Sequence, residues 1–389
     1  MTDRTSLERL RAANRRTVLT ALVAAGPQSR ADLARATGLS RTTVSSLVQD
    51  LIASGQAVET ADRGRPHKGG SGRPPVLVVA TSARGAVAGI DIGHHHVRVA
   101  VADQGGAVLA EDVAPVDVDD HGSATLNRVT RMVRSLTGAA GLDQARLQGI
   151  GLCLPAPVDR RSAQIRSGVM PGWRDLAPAE QLEERFGVPV AVDNDANLGA
   201  LAELHHGVAH GVADFVYLKL ASGVGAGLVL GGRLYRGATG IAGEIGHVQI
   251  LEHGRVCRCS NRGCLETEVA LPRLLDLLQP TRPDELTVES LLALDGAGDA
   301  GVRRVLGDAG RTVGRALADL CNSLNPGMIV LGGPLGSAGS LVDGVRASVD
   351  RYAQPNTAAA VRVVPAALGD RAELTGAVAL AIARAALQE

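Results

Sequence analysis

Aromatic residues are nearly missing from this chain: two Phe, three Tyr and one Trp make up 2% of its 389 residues. Any core must therefore be built from Ala, Val, Leu and Ile, and a hydrophobic fraction of 45% provides for one and excludes wholesale disorder. No run of eighteen apolar residues occurs, which excludes a membrane-spanning helix of ordinary length. The opening Met1-Thr2-Asp3-Arg4 lacks the charged-then-apolar pattern of a secretory signal, so a cytoplasmic protein is expected. Cysteine is scarce and unevenly placed. Cys257, Cys259 and Cys264 fall within eight residues, while Cys153 and Cys321 stand alone. An odd count with one tight cluster argues against a disulfide framework and for a metal site.

Net charge is absent as well, with 40 Lys and Arg against 40 Asp and Glu. The zero hides an asymmetry. Residues 1–84 carry 13 basic and 6 acidic side chains, a balance of +7, and the other 305 residues carry the compensating −7. A basic head on an acidic body points to a polyanion meeting the head, and nothing amphipathic and basic directs it to a membrane instead of nucleic acid. At this length two or three folding units are expected.

The head reads as three helices. Leu7, Leu10, Val18, Leu19, Leu22 and Val23 recur at helical spacing over residues 6–24, and Gly26-Pro27 ends the run. Ser29 can cap a short second helix that turns Leu33 and Ala34 inward. Gly38 supplies a tight turn, and Ser40 caps a third helix reaching about Ser54. That helix should bury Val44, Leu47, Val48 and Leu51 and expose Arg41, Thr42, Thr43, Ser45 and Ser46. Short hydroxyls with a cation suit phosphates and base edges in a major groove, and Arg30 and Ser40 join them as candidate DNA contacts. Residues 55–59 lead into a wing strand. The stretch 62–75 has no apolar residue, so it is a tether or an arm whose Arg63, Arg65 and Arg73 enter a minor groove. The expected division is a winged helix-turn-helix over 1–62, a basic linker or wing over 63–84, and two α/β lobes over 85–200 and 201–389.

The lobes follow from a pattern used twice. Residues 85–113 read as strand, glycine turn, alternating strand, Gly-Gly turn and strand, and residues 214–236 repeat the plan. Two such units, each followed by helices and strands, predict a duplicated α/β body with a cleft between its lobes. Gly246-His247 followed by Cys257-Arg-Cys259-Ser-Asn-Arg-Gly-Cys264-Leu-Glu266, with Asp193-Asn194-Asp195-Ala196-Asn197, Pro171-Gly172-Trp173 and Asn325-Pro326 to Gly332-Gly333, resembles the ROK family of repressors and sugar kinases. The resemblance spans nearly the whole chain and implies an actin-like, ribonuclease H-like sugar-kinase body.

Three thiolates and His247, ten residues upstream of the first of them, make a closed tetrahedral donor set of the structural-zinc kind, and the resemblance implies these four ligands. Asn194, Asp195, Glu244, His247 and Glu266 offer the carboxylates and amide that grip sugar hydroxyls, with the Pro171–Trp173 turn as one wall. His247 can hold zinc with one ring nitrogen and reach the sugar with the other. Asp195 occupies the position of the general base in ROK kinases. Those kinases resemble Asp-x-Gly-Gly-Thr in a first phosphate loop and Gly-Thr-Gly-x-Gly-x-Gly in a second. This chain has Asp91-Ile-Gly93-His94-His95-His96 and Ala221-Ser222-Gly223-Val-Gly225-Ala-Gly227. The second loop is nearly intact, whereas His94 and His95 should crowd phosphates in the first. The expected function is a sugar-responsive repressor, a homodimer or homotetramer on two-fold symmetric operators, with zinc but not Mg-ATP as its cofactor. An ATP-dependent sugar kinase using Asp195, or a bifunctional protein, remains the alternative.

Overall fold

A computed structural model of the chain describes residues 11, 14–15, 17–22, 26–53, 56–63, 76–80, 85–159, 170–174 and 176–386, with the backbone alone at 61–63. In the head, residues 11, 14–15 and 17–22 are helical (α1), followed by β1 (Gln28–Ser29), α2 (Arg30–Thr37) and α3 (Arg41–Ala53). Ser29 caps α2 reciprocally: its hydroxyl accepts from Asp32 N at 3.2 Å, and the Asp32 carboxylate accepts from Ser29 N at 3.2 Å. Gly38, at φ 69°, ends α2 in the left-handed region that a side chain would resist. Ser40 Oγ then accepts from Thr43 N at 3.1 Å and starts α3. Val18, Leu22, Leu33, Val44, Leu47, Val48 and Leu51 close a small core, as the helical spacing predicts; Leu7, Leu10 and Val23 lie outside the described residues.

β2 (Ala57–Arg63) pairs antiparallel with β3 (Val76–Ala80), and β1 pairs with the other edge of β3. The apolar Val-Leu-Val-Val run therefore belongs to the wing, where Val78 is buried in the head core, and not to a tether.

The body consists of two five-stranded sheets of equivalent order. The first is β6-β5-β4-β7-β8, from β4 (Ala86–Ile92), β5 (His96–Asp103), β6 (Val108–Pro115), β7 (Leu147–Leu154) and β8 (Val190–Asn194). The second is β11-β10-β9-β12-β13, from β9 (Phe215–Leu220), β10 (Val224–Leu230), β11 (Arg233–Tyr235), β12 (Met328–Gly332) and β13 (Arg362–Pro365). Each is an antiparallel meander extended by two parallel strands, so the duplication expected from the sequence extends to strand order.

Helices α4 (Gly122–Ala139) and α5 (Pro178–Phe186) cover the first sheet. The second is covered by α7 (Leu265–Val269), α8 (Leu271–Leu278), α9 (Val288–Ala297), α10 (Ala300–Leu324), α11 (Gly339–Tyr352) and α12 (Pro355–Ala360), and α10 and α11 form its largest helix pair. Two helices lie between the sheets. α6 (Asp195–His206) packs on β9 and β10, and α13 (Ala372–Ala385) packs on β4 and β7 and against α6. Gly376 makes that contact possible, since a Cβ there would stand 2.0 Å from the Leu198 carbonyl oxygen. The expected boundary at residue 200 thus falls inside α6. The helix begins at the end of a first-lobe strand but buries its small residues against the second sheet.

Candidate functional site

The two lobes enclose a cleft of about 580 Å³, within the range of small-molecule sites. The ends of β4, β8, β9 and β10 converge on it, which is where open α/β sheets place their ligands. Asn194, Asp195, Glu244, His247 and Glu266 all line it, together with Asp91, Gly93, His94, His95, Ser222, Gly223 and Gly225. Residues separated by up to 175 positions in the chain thus meet in one cavity.

Their local roles differ. Asn194 Oδ1 accepts from Ala196 N at 2.9 Å and caps α6, which sets the next residue, Asp195, at the helix N-terminus. Asp193 points away from the cleft toward the second lobe, holding Arg236 Nε at 2.7 Å and Asn197 Nδ2 at 2.7 Å. Glu266 lies at the first turn of α7. Its Oε2 accepts from Val224 N at 3.0 Å and its Oε1 from Arg258 Nε at 2.8 Å. Burial, and then the charges of Asp195 and Glu266, push Glu244 up to about 7.

The loop after β4, expected from the resemblance to correspond to a phosphate loop, departs from expectation in one respect. His94 turns aside, its Nδ1 2.7 Å from Asp119 Oδ1, and His95 is exposed. His96 is the imidazole that covers the loop. Its Nε2 sits 3.0 Å from Asp91 Oδ2, and a Cβ on Gly93 would strike its ring at 2.3 Å. Burial opposes ionisation of Asp91, but the hydrogen bond and charge of His96 and the charge of Lys219 outweigh it and lower the Asp91 pKa. The wall expected from Pro171–Trp173 is also corrected. Trp173 is fully buried in the first-lobe core, where its Nε1 donates to Val118 O at 2.8 Å. With so few aromatics available, this ring fills the core.

At the edge of the cleft, the ligand atoms of His247, Cys257, Cys259 and Cys264 all lie within 4.8 Å of one another. His247 Nδ1 is 3.6 Å from Cys257 Sγ, and Cys259 Sγ is 3.7 Å from Cys264 Sγ. A tetrahedral zinc shell with the usual bond lengths has edges of roughly 3.5–3.8 Å, so these two donor pairs already stand at coordination spacing. Burial, and then the Cys259 and Cys257 thiols, push Cys264 up to about 12. Three thiolates in this volume would need a cation between them, and the four donors are grouped as a metal ion could use them. The other ring nitrogen, His247 Nε2, faces Glu244 Oε2 at 3.5 Å, which leaves it directed into the cleft.

In the head, Ser40, Arg41, Thr42 and Ser46 are exposed on α3 and the turn before it, with Thr43 and Ser45 half-buried between them. Arg11 donates to Ser46 Oγ at 3.1 Å and to Asp50 Oδ2 at 2.6 Å, and Arg30 pairs with Glu59 Oε1 at 2.7 Å. The Arg63 side chain, Arg65 and Arg73 lie outside the described residues.

Sequence reasoning passed over Lys219, Glu373 and Arg258, all of which line the cleft. Lys219 stands in a strand pattern and Glu373 in a helix pattern, and each reads as a surface charge until the topology places it. A lysine in the midst of an otherwise apolar strand, Phe-Val-Tyr-Leu-Lys-Leu, was the one available signal.

Residues 87–384 match the profile of the ROK family. The chain belongs to the ROK family. Residues 14–65 match the MarR family, whose members carry a winged helix of this kind, so the head too has a recognised lineage. Among curated relatives, the xylose repressor of Bacillus spizizenii is 30% identical over 371 residues, covering 93% of each chain. Among solved structures, a ROK family transcriptional regulator described as a homologue of the Escherichia coli Mlc protein superposes with a TM-score of 0.80 at 27% identity. It covers 97% of this chain and 98% of its own. The ROK hexokinase of Thermus thermophilus, at 34% identity and a TM-score of 0.64, covers 97% of itself but 76% of this chain. The xylose repressor and the Mlc homologue thus span nearly the whole chain, and the hexokinase about three quarters of it.

Proposed function

We propose that this ROK protein is a cytoplasmic, sugar-responsive DNA-binding repressor of carbohydrate-metabolism genes. The observation that carries the reading is the span of the repressor likeness. It runs over 93% of the chain, through the winged helix-turn-helix, while the hexokinase likeness covers 76% of it. No helix among the described residues is long and apolar enough to cross a membrane, which agrees with a soluble regulator.

In this reading Arg41, Thr42, Thr43, Ser45 and Ser46 of α3 enter the major groove, with Ser40 and Arg30 at its margin and Arg63, Arg65 and Arg73 reaching an adjacent minor groove. Asn194, Asp195, Glu244, His247 and Glu266 hold a sugar. Zinc on His247, Cys257, Cys259 and Cys264 fixes the loop that carries Glu266 and orients the His247 ring. An even-numbered homo-oligomer presents two heads to a two-fold symmetric operator. Sugar binding shifts the lobes and so the spacing of the heads.

Selection of binding sites from a random duplex pool, followed by titration of the selected site with a panel of sugars, tests the proposal. Symmetric half-sites and a sugar-dependent change in affinity are expected. The competing reading is a sugar kinase with Asp195 as base. Sustained ADP release from hexose and Mg-ATP, abolished by Asp195→Ala, would establish it in place of the repressor.

A further inference from the structure

The floor of the cleft holds a charge cluster that sugar binding alone leaves without a role. Lys219 projects from β9 of the second sheet, with its side chain one-fifth exposed. Its Nζ is 2.9 Å from Asp195 Oδ2 at the start of α6 and 3.0 Å from Glu373 Oε1 at the start of α13. Asp91, at the end of β4 in the first sheet, acts on the same ammonium, and His96 from β5 holds Asp91 from the other side. The buried Cys153 thiol of β7 also faces the cluster, as does Tyr217 from Lys219's own strand. Burial would lower the lysine's pKa, but attraction to Asp195, Glu373 and Asp91 outweighs it and raises the pKa well above the ordinary value, so the ammonium is permanent. Among the described residues, Glu373 Oε1 has no partner besides this ammonium. The lysine's charge is what offsets its burial.

This arrangement does not fit a metal–nucleotide. Phosphoryl transfer places a divalent cation among acidic side chains and phosphates, where it neutralises developing charge. Here an ammonium already lies among the three carboxylates that face that space, and His96 occupies Asp91. We infer that Lys219 is a built-in cation that takes the place of the metal–nucleotide in this cleft, neutralising Asp195 and directing its carboxylate toward a sugar, so that the site binds sugar without a phosphoryl donor. The half of this inference that concerns sugar rests on the proposed function. The half that concerns the cation stands on the cluster itself. Lys219 is a positioning residue: it acts on the sugar through Asp195.

The test compares full-length wild-type protein with Lys219→Met and Lys219→Arg. Mn2+ alone, followed by its free-ion resonance signal, probes the cation position; Mg-AMPPNP probes the nucleotide; calorimetry with xylose and glucose from pH 5 to 8 probes the sugar. Wild type should take up neither Mn2+ nor Mg-AMPPNP in the cleft, and its sugar affinity should vary with pH only through Glu244, near 7. Lys219→Met should lose about tenfold or more in sugar affinity, add a further pH-dependent step as the stripped carboxylates compete for protons, and gain an Mn2+ site. Lys219→Arg should restore the wild-type profile and bind no Mn2+. A purely structural tie would lower the melting temperature of Lys219→Met without creating the Mn2+ site. Should Lys219→Met fail to fold, Lys219→Gln serves in the same comparison. Wild-type protein that binds Mg-AMPPNP, or a neutral variant with unchanged Mn2+ uptake, overturns the inference. Failure of every sugar to bind wild type defeats the proposed function instead, while the Mn2+ comparison still decides the role of Lys219.

Discussion

The zinc proposed for the Cys/His cluster is tested by removing one of its four donors, which separates a metal's contribution from that of packing, and Cys259 is the residue to remove. It is exposed, whereas Cys257 and Cys264 are buried, so Cys259→Ala leaves no cavity behind. The loop between His247 and Cys264 has little core of its own. Val248 is 47% exposed, Leu251 47% and Val256 68%, so its order must come from elsewhere. Structural zinc contributes about 10–16 kcal/mol in small folds. A value near 12 corresponds to a dissociation constant of about a nanomolar. With roughly 1 µM free zinc the folded state then gains about 4 kcal/mol. A body of this size shifts by roughly 2–4 °C per kcal/mol, so loss of the metal should lower the melting temperature on the order of 10 °C. Differential scanning calorimetry with and without chelator, paired with elemental analysis, measures this. Cys259→Ala should hold less than half a zinc per chain, should no longer respond to chelator, and should be cut by protease between 248 and 264. A variant that retains one zinc, or a wild type that loses its metal with a shift under 2 °C, would refute the reasoning.

Four other outcomes are expected. Leu51→Ala, at a fully buried position in the head, should cost roughly 2–5 kcal/mol locally and abolish operator binding while calorimetric sugar binding persists. Arg41→Ala should weaken operator affinity and reduce the slope of its logarithm against log salt by about one; an unchanged slope in filter binding places Arg41 off the phosphates. Ser260, at φ 70°, is one of two non-glycine residues in the left-handed region among those described, so Ser260→Gly should raise zinc-loaded stability by about 0.5–1 kcal/mol in thermal unfolding. Burial, and then the charges of His206 and His210, lower the pKa of His205 below 6.5. The unfolded chain therefore takes up that proton first, and stability falls as the solution is acidified below pH 6.5 toward the lowered folded value. His205→Gln should flatten that fall in a pH series of melting temperatures, and an identical series would exclude it.

The parts of this molecule written in neighbouring residues were legible beforehand. Ser29 with Asp32, Gly38 and Ser40 punctuate the head within a dozen positions, and Cys257, Cys259 and Cys264 share one loop. Alternation and Gly-Gly turns announced both meanders because strand periodicity is a local property. What escaped depends on topology. Lys219 and Glu373 are 154 residues apart and meet only because α13 returns to the first sheet. The three consecutive histidines could not be sorted by position, since Asp119 draws His94 aside and leaves His96 on Asp91. Trp173 looked like a binding surface by its motif, yet a chain this poor in aromatics spends its one indole on the interior.

The contact between α6 and α13 carries one further consequence. At Gly376 the backbones of the two helices approach so closely that not even a methyl group fits between them. A side chain added at Gly376 would have to push the two helices apart, and with them the two sheets on which they pack. The seam between the lobes is thus set by one missing methyl group, and filling that gap should cost about 1–3 kcal/mol as an overpacked core does.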